Sequence, residues 1–414
     1  MSGLTSLIFG TVDLVSCLID SGGLSVHTMP KFQTSPTTPT KSTHDRGPTP
    51  YFHGRRRILQ NFIKQLENSA QQKDGTIFLI QGAPGVGKTA LLYECGKLAR
   101  ERKWQVADIH PDALWNTAAL MRSLGRGDEF ETSERTGAVD IKLAKGGYTS
   151  VPVPRTTISI LKEADIPLLL ILDEAQILGI SGKPPTEQAI HATNTLKEIH
   201  NGSLERSVVL LAAGLGTTLD AFGFLGISRF AEGCFVELGA LSKESERAVI
   251  HDWLTKKGGV KGDPTAWIDM IVQETHQWPR HVHSYAKHAA EHLKENDGIM
   301  TSQGLSAVIE LGQEGRKQYY KQRVGKFYGD QLQCLVGSIS NNPLGEPISR
   351  LAIISSLAQT YDDKAEDLLE DFIEKGILEK NGKGLSIPIP SMQTWLQKNY
   401  GSKSGIFPRD KSAP

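Results

Sequence analysis

The sequence predicts a mixed chain: an α/β part built on a parallel sheet, then a helical unit, then a small C-terminal group of helices closed by a hairpin. Three observations carry this. Short all-apolar runs alternate with helical patterns as far as about residue 240. One such run ends in a glycine-rich loop, Gly82-Ala83-Pro84-Gly85-Val86-Gly87-Lys88-Thr89. From Ser242 onward helical periodicity takes over, and a strand–turn–strand pattern returns only near residues 376–389. At 414 residues the chain is long enough for more than one such unit.

Taken in order, the first 28 residues hold an apolar stretch, Leu4 to Ile19, which Asp13 interrupts and no Lys or Arg precedes. That makes a poor signal peptide and too short a membrane span. Residues 30–50 are rich in Thr, Pro and Ser, so residues 1–49 are expected to form a disordered leader. Met29, directly before this stretch, is a candidate start; a native N-terminal mass reading Met1 or Ser2 would exclude it. A turn around Gly54 carries Arg55, Arg56 and Arg57, and Ile58, Leu59, Phe62, Ile63 and Leu66 then recur at helical spacing.

Thr76 to Ile80 is a short apolar run bounded by Asp74-Gly75, which reads as a buried strand, and Ala90 to Arg100 reads as a helix. A glycine-rich loop between such a strand and such a helix turns backbone N–H groups inward around a phosphate. Lys88 then adds a positive charge between the β- and γ-phosphates, and Thr89 a hydroxyl for Mg²⁺, at the positive end of the helix. Gly82 to Ala90 is therefore the expected binding segment for a nucleoside triphosphate. The loop is indifferent to the base.

Trp104 to Ile109 reads as a second strand, Ala113 to Leu124 as a helix, and residues 125–150, rich in glycine and charge, as a surface insertion. Ile166 to Leu172 is a continuous apolar run followed by Asp173-Glu174-Ala175-Gln176. Such a run is a central parallel strand, buried on both faces and delivering carboxylates at its C-terminal edge. Asp173 is expected to hold Mg²⁺ through its water shell, and Glu174 to orient and polarise the attacking water. A further strand, Val208 to Ala213, ends in Gly214-Leu215-Gly216-Thr217-Thr218. Thr217, with Thr218 beside it, is either the polar group next to the γ-phosphate or a cap of the following helix. Cys234 to Leu238 closes this part as a short strand.

Helices are expected at Ser242–Lys256, Pro264–Glu274 and His281–Glu295. Pro279 can start the last of these, which leaves Arg280 in its first turn, unfavourable for a cation unless it faces an anion. His276, His281, His283, His288 and His292 crowd the region. His288 and His292 lie one turn apart, as a metal pair or as an exposed face; no carboxylate or cysteine is placed with them, which favours the face. Residues 313–326 carry Arg316, Lys317, Lys321, Arg323 and Lys326 with Tyr319 and Tyr320 between them and Phe327 just beyond: a phosphate-contacting helix or a solvated linker. Helices at Gln331–Ser340, Ile348–Gln359 and Lys364–Lys375, followed by a hairpin turning at Asn381–Gly384, match a winged helix. Asp362, Asp363, Glu366, Asp367, Glu370 and Asp371 at and within its third helix oppose phosphate contact. Lys380 and Lys383 make the wing the better DNA contact, and docking to a protein is the other reading.

Lys plus Arg and Asp plus Glu both total 46, so no overall field draws nucleic acid or anionic membrane. Four widely spaced cysteines without a CxxC pair exclude a zinc module and a disulfide framework and fit a reducing, cytoplasmic setting.

With these residues in place, the chain resembles the AAA+ superfamily of P-loop ATPases. It looks closest to the initiator-like clade, which includes origin-recognition proteins and transposition regulators, and to the neighbouring STAND signalling ATPases. The resemblance implies a three-layer α/β core over 50–240, a helical lid over 241–300, a basic linker helix over 301–327, a winged helix over 328–400 and a tail over 401–414. It implies ATP as the nucleotide, with the Gly54 turn lining an adenine pocket or remaining a solvated basic turn. Thr217 matches the sensor-1 position, Arg280 the sensor-2 arginine, and Arg229 the finger that reaches a neighbouring subunit's ATP. Thr in place of the more usual Asn at sensor 1 implies slow hydrolysis. The implied activity is an ATP switch that oligomerises and engages duplex DNA in replication, transposition or a related transaction. The alternative is a signalling or defence ATPase whose winged helix binds a protein; neither involves a membrane.

Overall fold

The computed structural model describes residues 49–126, 155–179, 187–340, 342–382 and 384–401. The expected leader up to residue 48, Met29, the insertion beyond residue 126, Lys383 and the tail beyond Gly401 lie outside the described residues.

Helix α1 (Arg56–Gln72) leads into strand β1 (Gly75–Gln81), helix α2 (Lys88–Glu101) and strand β2 (Gln105–Ile109). Helices α3 (Thr117–Ser123) and α4 (Thr157–Lys162) precede β3 (Leu168–Leu172); α5 (Glu187–His200), β4 (Val208–Gly214), α6 (Thr218–Phe224) and β5 (Phe235–Glu237) follow. The five strands form one parallel sheet in the order β2-β3-β4-β1-β5. Strand alternation sorts its side chains onto two faces. Phe78, Ile80, Leu169, Ile171, Val209 and Leu211 meet Phe62 and Leu66 of α1 and Leu91, Leu92 and Cys95 of α2. Ile77, Leu79, Leu168, Leu170, Val208 and Leu210 meet Leu120 of α3, Ile160 and Leu161 of α4 and Leu196 and Ile199 of α5. The result is three layers, with β3 and β4 buried throughout.

The chain passes from β4 over β1 to β5, so β1 lies between strands of opposite connection direction. The crevice at its C-terminal edge is the switch point where parallel sheets hold ligands. One expectation is corrected here: residues 113–124 are not one helix. A single tight turn, Pro111–Leu114, stops, and α3 begins afresh after Asn116, whose side chain accepts a hydrogen bond from the Ala119 N–H at 3.2 Å. A helix-capping residue inside the apolar pattern sets the break.

Beyond the sheet lie α7 (Lys243–Asp252), α8 (Thr265–Thr275), α9 (Pro279–Glu295) and the 23-residue α10 (Ser302–Val324). Val249, Ile250, Leu254, Trp267, Ile271, Tyr285 and Val308 form their own core. The last group comprises α11 (Gly329–Ile339), α12 (Arg350–Tyr361), α13 (Ala365–Glu374), the antiparallel pair β6 (Glu379–Asn381) and β7 (Gly384–Ser386), and α14 (Pro390–Tyr400). Hydrophobic periodicity predicts no helix at α14, although Pro390 starts it and Met392 and Leu396, one turn apart, are buried on it. Trp278, Tyr319, Tyr320 and Val324 join this group's core to that of the sheet. The C-terminal elements are thereby held against the glycine-rich loop.

Candidate nucleotide-binding site

The loop leaves β1 still fastened to β4, because the Gly82 N–H donates to the Gly214 carbonyl at 3.1 Å. Gly85 and Gly87 have φ of 78° and 96°, a backbone that side-chain-bearing residues rarely adopt, and they turn the loop into the first residue of α2. That residue is Lys88. Its ammonium is buried and donates to the Gly82 carbonyl at 2.8 Å and the Ala83 carbonyl at 3.1 Å, lying inside the loop it would share with a phosphate. Burial lowers the Lys88 pKa; Glu174, Asp173 and Glu379 act against that, and Arg323 adds to it.

Thr89 and Asp173 come together from α2 and the end of β3: the hydroxyl donates to the carboxylate at 2.8 Å. The other Asp173 oxygen accepts the Glu174 N–H at 3.0 Å. Glu174 sits in the left-handed region, φ 56°, strain of a kind that collects at functional sites. Its exposed carboxylate accepts a hydrogen bond from the Gln176 amide at 2.6 Å, while the Gln176 carbonyl oxygen accepts the Leu215 N–H at 3.1 Å. Gln176 thus ties Glu174 to the end of β4. Sequence reasoning assigns Gln176 no role; its place two residues behind Glu174 is the available signal.

These residues fit a triphosphate with Mg²⁺. A hydroxyl and a carboxylate oxygen are the hard donors magnesium takes, and the loop supplies a concave backbone with one buried ammonium. Further donors point the same way. Trp278 Nε1 and the Tyr319 hydroxyl are buried without a hydrogen-bond partner among the described residues, and both lie near Gly85, about where a Cβ there would meet them at 3.1 and 3.2 Å.

Arg280 occupies the first turn of α9 as expected. Its backbone N–H donates to the Gly85 carbonyl at 3.2 Å, and its guanidinium lies over the Tyr319 ring, 4.3 Å from the centroid. Thr217 stands at the start of α6 without capping it, and the Thr218 hydroxyl donates back to the Leu215 carbonyl at 2.6 Å, so neither threonine caps α6 through its side chain. Arg229 is exposed. Arg55 is no solvated turn residue: its guanidinium donates to the carbonyls of Gly239 at 2.5 Å and Ala240 at 3.2 Å and reaches Val86 O in the loop at 3.5 Å. Burial brings its pKa down to about 10.

Two of the five cations of the basic stretch depart from both readings of it. Lys317, Lys321 and Lys326 are exposed, but Arg316 pairs with Glu274 at 3.2 Å and Arg323 turns inward toward the loop. The spacing Arg316, Tyr319, Tyr320, Arg323 is one helical stripe, and the two buried tyrosines draw the arginines in with them. A second missed residue is Glu379 on β6. It packs over Gly216 and shifts the Lys88 ammonium electrostatically; burial raises its own pKa, Lys88 opposing. His288 pairs loosely with Glu291 at 3.6 Å, and among the described residues no group of three metal-ligating side chains occurs.

A glycine-rich loop at the switch point of a parallel five-stranded sheet, an acidic pair on the neighbouring strand and a helical unit laid against the loop make up a fold that this chain shares with solved Walker-type ATPases. The solved structures agree. The chain is similar to the Walker-type ATPase of Pyrococcus abyssi, with 14% identity and a TM-score of 0.53 over 84% of this chain and 96% of that one. It is similar to the ORC2 protein of Aeropyrum pernix in its ADP form, with 14% identity and a TM-score of 0.52 over 87% and 98%. The same protein in its ADPNP–ADP complexes gives 12% identity and 0.52 over 86% and 96%. No protein-family model matches the sequence, and no curated protein matches it.

Proposed function

We propose that this chain is an ATP-driven switch that binds ATP·Mg²⁺ between the sheet edge and the α7–α9 lid, hydrolyses it slowly and, assembled into an oligomer, engages DNA. The single observation that carries the reading is the 2.8 Å contact of Thr89 with Asp173 beside a buried Lys88, which brings the phosphate, metal and acidic residues into one crevice. Lys88 and the backbone of Gly82 to Ala90 hold the phosphates, Thr89 and Asp173 hold the metal, and Mg²⁺ when bound neutralises the charge that develops on the phosphate oxygens. Glu174, steadied by Gln176, accepts a proton from the attacking water. Thr217 and Arg280 read the γ-phosphate, and the exposed Arg229 reaches a neighbouring copy's nucleotide. Adenine is the expected base because the ORC2 protein that shares the fold is described with ADP and ADPNP.

DNA engagement is tested by binding of the purified protein to duplex DNA, with and without ATP·Mg²⁺, across a salt series. ATP-dependent binding that falls steeply with salt supports it, because each neutralised phosphate releases counterions. Glu174→Gln is expected to bind nucleotide without turnover, and an unchanged rate would refute the assigned base.

One observation favours the second reading, a signalling switch docking a protein through α11–α14. Glu366, Asp367, Glu370, Asp371 and Glu374 all lie exposed on α13, and Lys380 on the hairpin is paired with Asp220 of α6 at 2.5 Å. Absence of DNA binding at low salt in both nucleotide states would move the proposal there. No described helix is long and apolar enough to cross a membrane, and a cytoplasmic setting completes the reading.

A further inference from the structure

Arg323 lies near the end of α10, on the element that joins the lid to the C-terminal group. Its Nε and Nη2 are buried and have no hydrogen-bond partner among the described residues. A half-buried guanidinium with two buried donors left empty is costly unless something anionic meets it. Its surroundings say what. Nη2 lies 3.1 Å from where a Cβ on Gly376 would stand, and the same point is 2.9 Å from Pro84 of the phosphate loop. The electrostatic neighbours of Arg323 are Tyr319, Glu174 and Arg280, and it in turn acts on Lys88.

Arg280 stacks on Tyr319, so two guanidiniums flank one phenol and repel each other. The hydroxyl of that phenol and Trp278 Nε1 are also unpaired and lie near Gly85. Four groups therefore offer donors or positive charge at the mouth of the loop, and none of them belongs to the α/β core. Glu174, the acidic group among its electrostatic neighbours, forms no ion pair with Arg323 among the described residues.

We propose that Arg323 is a contact for the terminal phosphate of a bound nucleoside triphosphate, made from α10 rather than from the lid, so that triphosphate but not diphosphate tightens the hold of the C-terminal elements on the loop. This rests on the nucleotide-binding reading above. Tyr319 and Trp278 complete the donor set, and Arg280 is relieved of the repulsion when an anion lies between the two cations.

The test compares affinities for AMP-PNP·Mg²⁺ and ADP·Mg²⁺ by calorimetry in the full chain and in Arg323→Met and Arg323→Lys, each checked for an unchanged thermal midpoint. Loss of a charge-assisted hydrogen bond predicts AMP-PNP binding weakened about tenfold or more in Arg323→Met, ADP binding within about twofold, and partial recovery in Arg323→Lys. Hydrogen exchange should show residues 316–324 protected by AMP-PNP and not by ADP in the wild type, and by neither in Arg323→Met. Equal loss for both nucleotides, or none, would overturn the proposal. A wild type that binds neither nucleotide would instead bring down the reading on which it rests. If Arg323→Met fails to fold, the Arg323→Lys ratio and the wild-type exchange pattern decide.

Discussion

Gln176 is the residue whose substitution should separate chemistry from binding. Its amide bridges a carboxylate acceptor, Glu174 at 2.6 Å, and a backbone donor, the Leu215 N–H at 3.1 Å, which fixes which end of the amide faces which partner. Gln176→Met keeps the length of the side chain and removes both contacts. A hydrogen bond to a charged group contributes about 1.5–3 kcal/mol, and each 1.36 kcal/mol of barrier is a factor of about ten. Glu174 is exposed, so water replaces part of what is lost, and the lower end applies: hydrolysis about tenfold slower. The buried Leu215 N–H, left unpaired, costs about 1–2 kcal/mol of stability. Neither partner touches the phosphate loop, so the affinity for AMP-PNP should stay within about threefold. Single-turnover hydrolysis of labelled ATP, with Glu174→Gln as the inactive reference, reads the rate; calorimetry reads the affinity. A rate equal to the wild type in Gln176→Met would refute the positioning role, and a collapse of nucleotide affinity would show the residue to be part of the binding site.

Two further outcomes are expected. Glu379→Gln removes a carboxylate that faces Lys88 and must be displaced or tolerated by an incoming phosphate, so AMP-PNP should bind about fivefold tighter, a gain on the order of 1 kcal/mol; weaker binding would mean that Glu379 helps to build the site. His281, buried against Tyr320, has its pKa lowered to about 3 by burial first and by nearby cations second. Between about pH 6.5 and that value the unfolded chain binds a proton that the folded chain does not, so stability is full above this window and falls as pH falls into it. From pH 6.5 to 5 the loss is about 1.6 kcal/mol, which urea midpoints at the two pH values would read. His281→Asn should lose less than the wild type over the same interval, and an equal loss would place the sensitivity elsewhere.

What the sequence made legible follows from physical locality. Gly82 to Thr89 and Asp173-Glu174 could be read because their chemistry depends on residues adjacent in the chain, set between apolar runs that only a buried parallel strand explains. Arg323 and Glu379 could not be read that way. Each reaches the loop across more than 200 residues of sequence, and the basic composition of 313–326 pointed to solvent or nucleic acid rather than inward. The stripe formed by Arg316, Tyr319, Tyr320 and Arg323 held the missing information, because aromatic residues at helical spacing bury their face and take neighbouring stems with them. The break at Asn116 was a local capping signal that apolar periodicity overrode, and the start of α14 at Pro390 was a local signal that sequence reasoning left unused.

Titration of the chain with ATP·Mg²⁺, followed by calorimetry beside the Lys88→Ala variant, tests the central claim most directly. Saturable binding at one site per chain in the wild type, lost in a variant that keeps its thermal midpoint, is the predicted result. Binding that survives Lys88→Ala unchanged, or no binding by the wild type, would contradict the assignment of this loop as the nucleotide site.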